Sequence, residues 1–261
     1  KLNKLTKSTL IILFSLFSFS SFSQSNHNYL DSIEEYKINE GHSEKFERLL
    51  IQHDGRVKPI STFSSEIIRK VSRSEKIYNQ TPSQVLLGII CYPEIWSNIP
   101  LLKIQNEQLL TELNSKNDLV SFNSLLNDDD IYIYYEETSS AFNKAESERS
   151  KREKELLKLW ERINIFYSLK STQIENSSLT IFPVKNIQKW TTKSPLKELK
   201  IPNEIVDSNR SINGLNLYFD ILKFCNDKNN FEAADKLLII IQKYQIDNGG
   251  DLIPSKWKLD L

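Results

Sequence analysis

The side chains best suited to chemistry in this sequence are few: three histidines, His27, His42 and His53, and two cysteines, Cys91 and Cys225. No two histidines stand four residues apart, and no HExxH, EF-hand or cysteine-rich ligand set occurs, so no metal centre is recognisable. There is no GxSxG elbow. The neighbouring carboxylates Glu136-Glu137 and Asp128 to Asp130 lie side by side in acidic segments, which does not aim two carboxyl groups at one substrate. His27 and His42 read as surface residues. What remains distinctive is Leu49-Leu-Ile-Gln-His53-Asp54-Gly55-Arg56-Val-Lys58-Pro59-Ile-Ser-Thr62. A glycine turn flanked by Asp54, Arg56 and Lys58, and followed by a helix start, can orient cations at a helix N-terminus, where a carboxylate is received. The structural alternative is that Arg56 pairs with a carboxylate to hold the turn while Pro59 sets the entry to the helix. On either reading Asp54, Gly55, Arg56, Lys58, Pro59 and Thr62 form the candidate motif, and no catalytic residue is assigned.

The elements that position this motif follow from periodicity. Tyr29 to Tyr36 reads as a short helix, and Ser43-Glu44 as a helix start ahead of the apolar cluster Phe46, Leu49, Leu50 and Ile51. Gln52 to Arg56 is a turn whose glycine affords positive φ, and Pro59 keeps Lys58 extended. Phe63, Ile67, Ile68 and Val71 recur at helical spacing behind the hydroxyls of Ser61 and Thr62, which predicts a capped amphipathic helix. Thr81-Pro82 starts another, with Val85, Leu86, Ile89 and Ile90 inward and Pro93 beyond its end. Leu101 to Ile104 is a short strand. Ile131 to Tyr135 alternates like a strand, although the preceding aspartates favour the start of a helix.

From Ala141 to Leu169 the pattern predicts one long helix with Leu156, Trp160, Ile163 and Tyr167 as its apolar stripe. Its interleaved charges are a solvated face and not a basic stripe for nucleic acid. Residues 171–212 read as irregular, with Leu179 to Pro183 strand-like and the stretch around Trp190 loop-like. Helices over Gly214 to Cys225 and Phe231 to Tyr244, joined by a polar turn at Asp227 to Asn230, form an antiparallel hairpin. The fold class expected is mainly α: an irregular helical domain ending in that hairpin, with at most a few short strands.

Composition narrows the function classes. The 261 residues are 39% apolar and 26% charged, and 34 Lys plus Arg balance 34 Asp plus Glu, so no net field draws the chain to nucleic acid. Six glycines leave little material for a phosphate-binding loop, and the absence of methionine points to a processed or excised piece of a longer reading frame. Lys1, Lys4 and Lys7 precede an apolar stretch from Leu10 to Phe22 that is too short to span a membrane. With Ser21-Phe22-Ser23 at its end, residues 1–23 read as a secretory signal peptide, the alternative being an uncleaved N-terminal anchor, and 24–261 as an extracytoplasmic domain that divides into subdomains at 44–126 and 128–261 if it divides at all. Cys91 and Cys225 each sit in an apolar run and read as buried thiols, although a long-range disulfide is open to them. The four tryptophans, Trp96, Trp160, Trp190 and Trp257, are isolated and form no tryptophan-rich haem signature. His53, beside Asp54, reads as an exposed loop histidine.

Gly55-Arg56-Val57-Lys58-Pro59-Ile60-Ser61-Thr62, followed by Ile67-Ile68-Arg69-Lys70-Val71-Ser72, resembles the extracytoplasmic domain of the large System II cytochrome c biogenesis proteins of the CcsA/ResB type from Bacteroidetes-like bacteria. Gln84 to Gly88 agrees as well, as do Pro93 with Trp96, Ile99-Pro100-Leu101, Lys154-Glu155-Leu156 and Glu161-Arg162-Ile163-Asn164-Ile165. So do Ile181-Phe182-Pro183 and Ile253-Pro254-Ser255. His53 departs from the small or acidic residue expected in that turn. The resemblance implies an accessory scaffold or docking domain on the periplasmic side of the cytoplasmic membrane. Its partners would be a membrane-embedded haem-handling module and apocytochrome c. Haem is implied for the parent protein, and the resemblance assigns no cofactor or haem ligand to this segment. The alternatives are a free-standing secreted domain that uses the C-terminal hairpin as a peptide groove, and an exported enzyme.

Overall fold

The computed structural model describes residues 29–171, 179–185, 187–193 and 214–253. His27, Trp257 and the apolar stretch read as a signal peptide lie outside them.

The chain begins with α1 (Tyr29–Glu35) and α2 (Glu40–Glu47), the latter capped by the Asn39 side chain, which accepts from the His42 N–H. Ser43, expected to start this helix, is instead buried inside it and donates back to the Glu40 carbonyl. Next come β1 (Leu50–His53) and β2 (Arg56–Pro59), an antiparallel hairpin in which His53 faces Arg56 and Leu50 faces Pro59. The two turn residues have positive φ, 50° at Asp54 and 74° at Gly55, the conformation that a two-residue hairpin loop with the strands' own twist requires.

β2 runs directly into α3 (Ile60–Ser72). This helix starts two residues before the expected hydroxyl cap. Pro59 occupies the cap position without a side-chain hydrogen bond, and the Ile60 N–H goes to the Leu49 carbonyl. Its inward face carries the predicted stripe, Phe63, Ile67, Ile68 and Val71, and adds Ile60 at its first position.

At the centre lies α4 (Pro82–Cys91), where every residue from Ser83 to Cys91 is buried. Its unbroken apolar run leaves no polar face, as expected of a helix enclosed by others. A reciprocal capping box between Thr81 and Gln84 fixes its start, and the Gln84 amide also reaches the Ile38 carbonyl at 2.6 Å. Helices α2 and α3 pack on it, as do the later α8 and α9. A one-turn helix, α5 (Pro93–Trp96), turns the Trp96 indole onto Gly88, so Pro93 starts an element after ending one.

β3 (Leu102–Lys103) pairs with β4 (Leu119–Val120) around α6 (Glu107–Glu112). Residues 131–134 are neither a continuous strand nor helical. Tyr132 bridges Leu126, and α7 (Tyr135–Phe142) begins after them.

The long helix expected over 141–169 is two. Arg149 donates to the Ala141 and Phe142 carbonyls at the end of α7, and Ser150 with Glu153 forms a second capping box that starts α8 (Lys151–Lys170). Its buried face is Glu155, Leu156, Leu159, Arg162, Ile163, Phe166 and Leu169. Tyr167, placed inward by sequence, is 60% exposed. The stripe is rotated because two polar residues, Glu155 and Arg162, occupy it as a pair.

β5 (Phe182–Pro183) pairs with β6 (Trp190–Thr191), and α9 (Gly214–Lys228) with α10 (Glu232–Asn248) forms the C-terminal hairpin. A single apolar core extends from Ile33 to Tyr244. Cys91 and Cys225 are buried free thiols within it, and burial pushes Cys91 up to about 12.

Candidate functional site

The β1–β2 turn stands at the mouth of a cleft. Asp54, Gly55 and Arg56 are exposed at its tip, and among the described residues Arg56 forms no ion pair. Lys58 is not available to an incoming anion. It pairs with Glu66 in the second turn of α3, and its ammonium lies 5.9 Å from the centre of the Phe63 ring. Pro59 is the cap residue of α3, and Thr62 is exposed on its first turn. The motif residues thus build a hairpin-to-helix corner. Of its cations, Lys58 is held by Glu66 and Arg56 projects into solvent.

His53, placed by sequence in an exposed loop, closes the last strand pair of the hairpin and leans edge-on against Phe63 at 5.1 Å. Its side chain is 28% exposed. Nδ1 is buried 3.2 Å from an Asp54 oxygen but outside hydrogen-bond geometry, which leaves it unbonded. Beside it opens a cleft of about 450 Å³ between α3 and α8, walled by Phe63, Ile67, Trp160, Ile165 and Leu169, with Asn164 and Ser168 among its polar groups. Size and lining are those of a ligand cleft: mostly apolar walls and a few polar groups. The half-buried Trp160 packs on Tyr132 at 5.4 Å and Tyr135 at 6.1 Å.

Three polar clusters escape the sequence. The first corrects the surface placement of His42, which is 1% exposed. Its Nδ1–H donates to Asp235 at 2.7 Å, and its Nε2 accepts from the Tyr218 hydroxyl at 2.9 Å. Burial lowers its pKa against the opposing pull of Asp235, and Lys45 completes the cluster by pairing with Asp235. It fastens the C-terminal hairpin to α2.

The second cluster is Arg162, 2% exposed, which donates to Glu155 at 2.9 Å and to the Lys103 carbonyl, tying α8 to β3. In the third, buried Gln245 accepts from the Leu50 N–H at 2.9 Å and donates at 2.8 Å to the carbonyls of Leu50 and Ile181. No spacing marks the first and third clusters in the sequence, because their partners lie on distant elements, whereas Glu155 and Arg162 are two turns apart on α8 and read there as part of its charged face. The hairpin groove considered as an alternative is occupied. Tyr218, Phe219 and Leu222 of α9, with Leu237, Leu238 and Ile241 of α10, are buried in the common core against α2 and α4.

The fold and cleft define a mainly α-helical domain whose accessible feature is an aromatic-walled surface on α3, α7 and α8. Among the described residues no helix is long and apolar enough to cross a membrane, and no cluster of three or more metal-ligating side chains occurs. No protein-family model matches the chain. It is similar to Protein NrfI of Wolinella succinogenes, at 26% identity over 224 residues, which is 83% of this chain and 23% of that protein. The chain therefore spans about a quarter of the length of this relative.

Proposed function

We propose that this chain is the accessory extracytoplasmic part of a cytochrome c maturation protein, in which it docks partners and leaves haem handling to a membrane-embedded module of the same protein or complex. The observation that carries this reading is the similarity to NrfI along 83% of the chain. It is joined by the ordered motif agreement from Gly55 to Ser255, which includes both members of the buried Glu155–Arg162 pair. Haem is the cargo of the parent assembly, apocytochrome c is its acceptor, and the domain lies on the periplasmic side. A docking role is supported by the aromatic surface centred on Trp160.

The test is deletion of the segment encoding residues 29–253 in frame in the native host, followed by staining of membrane and periplasmic fractions for covalently bound haem. Loss of c-type cytochromes with b-type haem retained is expected. Unchanged c-type cytochromes would sink the assignment.

A further inference from the structure

Trp160 stands between two clefts and is a wall of both. The first, described above, opens toward His53. The second, of about 270 Å³, is lined by Tyr135, Thr138, Ser139, Phe142 and Asn143. Tyr135 and Phe142 continue the apolar surface along α7, at 51% and 72% exposure. An indole dividing two aromatic-walled clefts, the second with Thr138, Ser139 and Asn143 among its lining, does not suit one compact ligand filling both, whereas side chains spaced along a polypeptide can enter one each.

Charge at the α3 end specifies the partner further. A concavity there is lined by Glu66, Arg69, Lys70 and Arg73. It joins the first cleft through the Lys70–Glu161 pair at 2.8 Å, since Glu161 also lines that cleft. Glu66 is neutralised by Lys58 and Lys70 by Glu161, while Arg69 reaches only Glu75, at 3.7 Å. Arg73, which ends α3 at φ 61°, forms no ion pair among the described residues. The uncompensated charge beside the apolar clefts is cationic, and its complement is a carboxylate.

We propose that the Trp160 ridge docks an extended polypeptide segment carrying two bulky apolar side chains, one for each cleft, with acidic residues at the end that meets Arg69 and Arg73. The proposal deepens the docking role above and rests on that reading for its physiological setting, while the binding itself is measured without it.

The probe is a series of fluorescein-labelled synthetic 14-residue peptides, designed with an Asp-Glu pair at one end or the other and two leucines separated by one to four residues. Each is titrated with the chain and followed by fluorescence anisotropy. Saturable binding is expected for at least one member. It should be lost when the leucines become serines, and weakened about tenfold by Phe142→Ser, by Arg73→Asn or by Lys-Lys in place of Asp-Glu. Asn tolerates the left-handed backbone at position 73. Phe142 is mostly exposed, and unchanged melting of both variants confirms that they fold.

No binding by any member, or binding indifferent to both variants, would overturn the proposal. So would binding of a small apolar dye in the first cleft with no peptide competing for it. Peptide binding in a chain whose deletion leaves c-type cytochromes intact would refute the maturation role and leave the docking surface standing.

Discussion

Gln245 does with one side-chain amide what a neighbouring strand would do, satisfying both backbone groups of Leu50 and the carbonyl of Ile181 in a buried setting. Gln245→Leu keeps the volume and removes every partner, so the orphaned groups should cost at least about 2 kcal/mol in urea unfolding. Arg162 and Glu155 illustrate the same economy with charge. Arg162→Met leaves the buried Glu155 carboxylate with only the Gln105 N–H and Lys158 at 3.8 Å, and should destabilise by about 3–5 kcal/mol; adding Glu155→Leu should restore part of the loss, a coupling that a double-mutant cycle measures. His42 sets the pH response. Its folded pKa lies below the ordinary 6.5, so its contribution is complete above that value and declines as pH falls from 6.5 toward the lowered pKa. The stabilising carboxylates Glu112, Glu153 and Glu232 are also depressed, but they lose their contribution only below their ordinary 4.5, a separate window. Melting temperature should therefore drop between pH 7 and 5 in the native chain, with a smaller slope in His42→Phe. These residues were illegible in the sequence because a buried polar residue is recognised by its partner, and the partners of Gln245 and His42 lie 195 and 193 residues away.

At the scale of elements, the sequence carried its clearest information where local chemistry decides the structure. Thr81-Pro82-Ser83-Gln84 contains its own capping box, and Asp54-Gly55 its own hairpin turn. The apolar spacing of α3 and of the C-terminal pair places their inward faces. It failed where an element ends for a tertiary reason. The break between α7 and α8 depends on Arg149 folding back on two carbonyls, and the charged run on either side conceals it. Two substitutions probe this level. A Cβ at Gly88 would sit 2.4 Å from the Trp96 indole nitrogen, so Gly88→Ala should lower stability by about 1–3 kcal/mol despite alanine's better helix propensity. Arg56→Ala should change the melting temperature by less than about a degree, since an exposed side chain without an ion pair carries little stability. A fall of several degrees would restore Arg56 as an organiser of the turn.

For the whole molecule, amphipathic patterning revealed a helical domain, and the structure adds that its apolar residues from Ile33 to Tyr244 share one core. The site was legible only in part. Trp160 was visible as an apolar stripe residue, but its half-buried place between two clefts arises from the packing of α7 and α8, which no single segment encodes. The contacts of His42 and Gln245 also set the order of assembly. The first hairpin and α2 obtain their buried partners from α9 and α10, so a chain emerging from a ribosome leaves the backbone of Leu50 to water until Gln245 has followed it out. Such a domain stays open during its own synthesis and closes late, like a clasp whose two halves are made at opposite ends of the work.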